Sequence, residues 1–147
     1  MKSEELDRLS RELLDTMIQV NSRLRDERRW RAVEDLTVPQ VILLLLLNRR
    51  GPMRTGDIAR NLCVTQGVIT RMADRLLKRG LVARTRLPED RRVVLLSLSP
   101  RGRRLASQLE RERVEEMKAV LRGIPARERR ELFDLFARIR DHLESTR

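Results

Sequence analysis

The strongest constraint in this chain is a change of hydrophobic period at Gly80. Ahead of it, in "QGVITRMADRLLKRG", Val68, Ile69, Met72, Leu76 and Leu77 recur three and four residues apart, which is one face of a helix. Behind it, "LVARTR" and "RVVLLSLS" are short aliphatic and β-branched runs of strand character, joined by "LPED", where Pro88 and Asp90 suit a turn. A helix that stops on a glycine and passes directly into a hairpin admits few architectures.

The residues upstream narrow the choice. Thr65 is placed to cap the helix before Gly80, Thr55 to cap "GDIARNL", and only "CVT" separates the two. Two short helices across so tight a turn describe a helix-turn-helix, and the hairpin behind them makes it a winged helix. Before this unit, "VILLLLL" at Val41 to Leu47 is apolar on nearly all sides, as a buried central helix is; Thr37, Val38 and Pro39 open it, and Gly51 and Pro52 close it. The first segment repeats Leu6, Leu9, Leu13, Met17, Val20 and Leu24 along one long amphipathic helix that needs a partner surface, in the same chain or in a second copy. After Pro100 the helical period returns, with Leu105, Leu109, Val114, Met117 and Leu121, then a break at Gly123 and Pro125, then Leu132, Phe133, Phe136, Ile139 and Leu143. The fold class is mainly α with a small β-hairpin (α+β).

Charge points to a polyanion. Among 147 residues, 33 Lys and Arg face 22 Asp and Glu, a net charge of +11. The excess is concentrated: net −1 over Met1 to Thr37 (8 basic, 9 acidic), +8 over Val38 to Pro100 (12 and 4), and +4 thereafter (13 and 9). An arginine-rich proteome would also give basic surfaces, so charge alone leaves the partner open. The opening "MKSEELDRLS" lacks the apolar core of a signal peptide, and seven apolar residues cannot span a bilayer, so a cytoplasmic protein with no membrane partner is expected. One cysteine excludes an internal disulfide, and no Cys/His cluster suggests a metal. With no Ser/His/Asp set, no paired-carboxylate cleft and no phosphate-cradling glycine loop, neither an enzyme nor a cofactor is expected.

The candidate site follows from the helix ending at Gly80. Opposite its apolar face lie Gln66, Gly67, Thr70, Arg71, Asp74, Arg75 and Lys78. Short residues near the helix start let the backbone approach bases in a major groove, Gln66 and Thr70 can bond base edges, and Arg71 can grip guanine or phosphate. The same face also fits an ordinary solvated helix. Beside it, "ARTRLPEDRRV" crowds Arg84, Arg86, Arg91 and Arg92 around one turn, and arginine is drawn to the negative potential of a minor groove. Arg91 and Arg92 suit that insertion, Arg84 and Arg86 suit phosphates, and Asp90 suits orienting an arginine.

From about Leu36 to Leu109 the sequence resembles the MarR (multiple antibiotic resistance regulator) family of bacterial transcription factors, most specifically in "VITRMADRLLKRGLV" and "PEDRR…LSLSPRG". The resemblance implies residues 1–36 as an N-terminal dimerisation helix, 37–99 as the winged-helix lobe and 100–147 as C-terminal dimerisation helices, in one compact domain overall. It implies a homodimer on double-stranded DNA at a pseudo-palindromic operator, most simply as a repressor. Thr65, Gln66, Gly67, Thr70 and Arg71 then match the reading positions of the recognition helix, which Arg75 joins as a candidate from the same exposed face, and Arg91 and Arg92 match the wing tip. In many members a small aromatic or phenolic anion releases the DNA. Leu87 stands where wings of this family usually carry aspartate, and Cys63 where glycine is common.

Three residues are read singly: Cys63 as a buried small apolar side chain, His142 as solvated, and Trp30 as packing where the first helix meets the core. A non-specific architectural DNA binder and a protein-docking adaptor remain as rival functions.

Overall fold

The computed structural model describes residues 3–24 and 35–146. These comprise helix α1 (Ser3–Leu24), helix α2 (Val38–Arg50), strand β1 (Met53–Arg54), helix α3 (Thr55–Leu62), helix α4 (Gln66–Lys78), strands β2 (Val82–Arg86) and β3 (Val94–Leu98), and helices α5 (Pro100–Arg122) and α6 (Ala126–Ser145). They divide into two compact units, 1–103 and 104–147. The second unit begins inside α5.

The core of the first unit is aliphatic. Val41, Leu43 and Leu44 from α2, Ile58 from α3, Ile69 and Leu76 from α4, then Leu81 and Leu96, are all fully buried. Each such side chain contributes about 1.5–3 kcal/mol relative to exposure. Helix α2 is central as expected and packs on β3, although its Ile42 is exposed. Its start is tied by Gln40, the one buried polar residue of the described core, whose side-chain oxygen accepts from the Thr37 N–H at 2.9 Å.

The sheet has three strands, in the order β1-β3-β2 and antiparallel throughout, rather than the two of a simple hairpin. β2 and β3 pair from Val82↔Leu98 to Arg86↔Val94, while β1 adds Met53↔Leu96 and Arg54↔Leu95 on the far side of β3. Two residues are too few for any period, which is why β1 is not visible in the sequence. β1 also displaces the expected cap: the N-cap of α3 is Arg54, and Thr55 lies in the first helical turn.

Helices α3 and α4 end in the same way. In α3 the Val64 N–H bonds the Ala59 carbonyl at 3.0 Å and the Cys63 N–H that of Arg60 at 3.3 Å. In α4 the Leu81 N–H bonds Leu76 at 3.0 Å and the Gly80 N–H bonds Leu77 at 2.9 Å. The left-handed residue is Cys63 (φ 56°) in the first and Gly80 (φ 66°) in the second. Cys63 is exposed, which corrects its reading as a buried apolar residue: the position demands a backbone conformation, not a packing volume.

Helix α1 leaves Leu6, Leu9, Leu13, Met17, Val20 and Leu24 exposed. In the second unit Val114, Met117, Phe133, Phe136, Ile139 and Leu143 are exposed as well, and His142 is solvent-facing as expected. The polar side of α5 carries i,i+3 pairs, Arg113 with Glu116 and Lys118 with Glu115, both at 2.6 Å; the hydrogen bond and charge of Lys118 hold the Glu115 carboxyl below its ordinary range. Trp30 lies outside the described residues.

Candidate nucleic-acid interface

Helix α4 begins at a working cap. The Thr65 hydroxyl accepts from the Val68 N–H at 3.4 Å, and Thr65 itself is extended (φ −77°, ψ 155°). This fixes the rotation of the helix, and burial of Ile69, Ala73 and Leu76 turns Gln66, Gly67, Thr70, Arg71, Asp74, Arg75 and Lys78 to solvent together. Every one of those residues is exposed, as the helical period requires.

Local contacts shape what that face offers. Gln66 lies across the first turn of α3, close enough that a Cβ at Gly56 would sit 2.7 Å from its Nε2. The Thr70 hydroxyl donates to the Gln66 carbonyl at 3.0 Å, so its lone pairs and methyl group are what it offers a base. A Cβ at Gly67 would stand in ordinary contact, 3.9 Å from Arg71 Nη1. The protein's own packing therefore leaves room for a side chain there.

The wing is held by its own turn. The Leu87 N–H bonds the Val93 carbonyl at 3.1 Å and the Val93 N–H that of Asp90 at 3.0 Å, while the Asp90 carboxylate accepts from the Arg92 backbone N–H at 3.0 Å. The Asp90 carboxylate thus holds the main chain at Arg92. Arg86, Asp90, Arg91 and Arg92 are all exposed.

One link between helix and wing was missed. The Arg84 guanidinium of β2 bonds the Asp74 carboxylate of α4 at 2.7 Å. Sequence reasoning put both on exposed faces but could not join residues ten apart across a helix stop. An acid among arginines on a basic face was the available signal. Among the described residues no cluster of His, Cys, Asp or Glu could hold a metal ion, and no helix is long and apolar enough to cross a membrane.

The pattern of the MarR family matches residues 36–94, which covers α2, both helices of the helix-turn-helix and the wing through the first residue of β3. The winged-helix segment belongs to the MarR family. It is 29% identical to the HTH-type transcriptional regulator YdgJ of Bacillus subtilis over 80% of this chain and 71% of that protein. It is 38% identical to the HTH-type transcriptional repressor MdtR of the same organism over 47% of this chain, a match spanning only 44% of that relative. The structure of apo MarR from E. coli superposes with a TM-score of 0.70 at 26% identity, covering 87% of this chain and 94% of the other. With a MarR-family segment at its centre, the chain is a DNA-binding helix-turn-helix transcriptional regulator and not an enzyme.

Proposed function

We propose that this chain is a sequence-specific repressor that binds a pseudo-palindromic operator as a homodimer. The observation that carries the reading is the single polar face of α4 beside the arginine-bearing wing, with Thr65, Gln66, Gly67, Thr70, Arg71 and Arg75 on one and Arg84, Arg86, Arg91 and Arg92 on the other. Gln66 and Thr70 carry base-edge chemistry, and Arg71 and Arg75 carry guanine or phosphate chemistry. The wing arginines reach an adjacent minor groove and its phosphates. In a two-fold dimer the two recognition helices stand roughly 34 Å apart, one turn of DNA.

Dimerisation is supported by the apolar stripes of α1 and α6, which single chains expose. Repression is supported by the likeness to the repressor MdtR. The effector of this reading is a small aromatic or phenolic anion that releases DNA, as the resemblance to the family implies.

The deciding experiment is fluorescence anisotropy on the DNA upstream of the protein's own gene against shuffled DNA of the same composition, over a salt series. A preference above about a thousandfold supports the regulator. Equal, salt-steep binding to both supports the architectural alternative. Titrating a benzoate-type anion into the specific complex tests release.

A further inference from the structure

The end of the recognition helix is closed twice. Helix α4 first closes on itself at Gly80, as described above. The next three carbonyls are then taken by the chain that leaves the wing. Arg101 Nη1 donates to the Arg79 carbonyl at 2.6 Å, the Ser99 hydroxyl to that of Gly80 at 2.6 Å, and the Ser99 N–H to that of Leu81 at 3.0 Å.

Ser99 serves two helices at once. Its hydroxyl oxygen accepts from the Gly102 N–H at 2.9 Å, an N-cap for α5, while its hydrogen goes to the end of α4. Gly102 is buried against the same point, so close that a Cβ would lie 1.8 Å from the Leu81 carbonyl oxygen. The obstacle is backbone, which no rotamer change relieves.

We infer that Ser99 and Arg101 are positioning residues for DNA binding, which with Gly102 clasp the end of the recognition helix to the root of the wing. The argument rests on the DNA-reading face proposed above. Helix and wing must meet DNA in one fixed relation, yet the link between them runs through Gly80, the residue type with the softest backbone. Rotation of α4 about Gly80 must break the Arg101 bond to the Arg79 carbonyl and the Leu81 N–H bond to Leu76 or, where the Gly80–Leu81 peptide turns with the helix, the bonds from Ser99, so the clasp removes the freedom that the glycine introduces. A reading surface has to be held to about 0.5 Å and 10–20° to keep its contacts.

The test uses the full chain as wild type, Ser99→Ala, Ser99→Thr and Arg101→Gln, with binding to the upstream and shuffled DNA over a salt series and amide exchange at Gly80 and Leu81. Ser99→Ala is expected to speed exchange at both amides and to weaken upstream binding roughly tenfold, with Ser99→Thr restoring both. Arg101→Gln is expected to weaken binding several-fold at an unchanged salt slope. Should Ser99→Ala bind with wild-type affinity, or should Arg101→Gln lower the slope by about one as loss of a phosphate contact does, the clasp is overturned. If the wild type binds both DNAs alike, the sequence-specific reading fails. The clasp is then upheld by Ser99→Ala weakening both and overturned by its weakening neither. Should Ser99→Ala not fold, Arg101→Gln decides on its slope.

Discussion

The winged-helix segment and the flanking helices use the same aliphatic residues to opposite ends. In the segment, Leu43, Leu44, Ile58, Ile69, Leu76 and Leu96 are fully buried within a few dozen residues of one another. In α1 and α6, Leu6, Leu9, Leu13, Phe133, Phe136 and Leu143, at equally regular spacing, stay exposed, from 43% for Leu9 up to 62% for Phe133 and 63% for Leu143. Periodicity therefore says that a face exists, and only topology says whether the same chain covers it. The first region carries its stability within itself, whereas the second makes its apolar area available to another surface.

Two substitutions break that comparison if it is wrong. Leu76→Ala should cost about 2–5 kcal/mol of unfolding free energy through loss of contacts and the cavity left behind. Thermal melts at two protein concentrations a hundredfold apart should show the same loss. Phe136→Ser should leave the first unit folded and shift self-association instead, read by sedimentation equilibrium as at least a tenfold weaker dimer. A concentration-independent loss for Phe136→Ser as large as that for Leu76→Ala would erase the distinction between the two regions.

Within the winged helix, the recognition helix and the wing should part company on DNA. Arg71→Ala is expected to cost about 1–3 kcal/mol on the preferred sequence and to relax choice at one base pair. Arg92→Ala is expected to weaken preferred and shuffled DNA alike and to lower the salt slope by about one. Equal losses from both on both DNAs would merge the two elements into one electrostatic patch.

Much of this fold is legible in the sequence because its boundaries are chemical. Thr65 as a cap, Gly80 as a left-handed stop and Pro100 as a helix opener each mark a position by a backbone requirement, and all three stand where expected. The exposed face of α4 is legible for the same kind of reason, since a period of 3.6 leaves no alternative once Ile69 and Leu76 are buried. What escapes lies between elements: the two residues of β1, the Asp74–Arg84 pair, and the clasp of Ser99 on Gly80 nineteen residues earlier. These depend on where the chain returns in space, which no local pattern encodes.

Cys63 sharpens the comparison of the two helix stops. It holds the left-handed position that Gly80 holds in α4, with ψ 41° and the same pair of closing bonds. A side chain there costs about 1–2 kcal/mol against the right-handed region, partly offset because glycine raises the entropy of the unfolded chain by about 0.5–1 kcal/mol. Cys63→Gly should therefore stabilise the protein by about 0.5–1 kcal/mol, and Gly80→Ala should destabilise it by about as much, both measured by urea denaturation. A loss of stability in Cys63→Gly would mean that the thiol contributes contacts worth more than the backbone relief.

The smallest expected effect on stability separates the wing's arginines by what they do. Asp74 and Arg84 are 50% and 37% exposed, so their ion pair is screened and contributes about 0–1 kcal/mol to folding. Asp74→Asn should thus leave the urea midpoint nearly unchanged. On DNA its effect is electrostatic: one negative charge leaves a face that approaches phosphates, and the Arg84 guanidinium loses its carboxylate partner. Affinity for preferred and shuffled DNA should rise together, most at low salt, with a steeper salt slope. A fall in affinity confined to the preferred sequence would show instead that Asp74 is needed to hold Arg84 in register. The pair would then join Ser99 and Arg101 as a positioning contact between helix and wing.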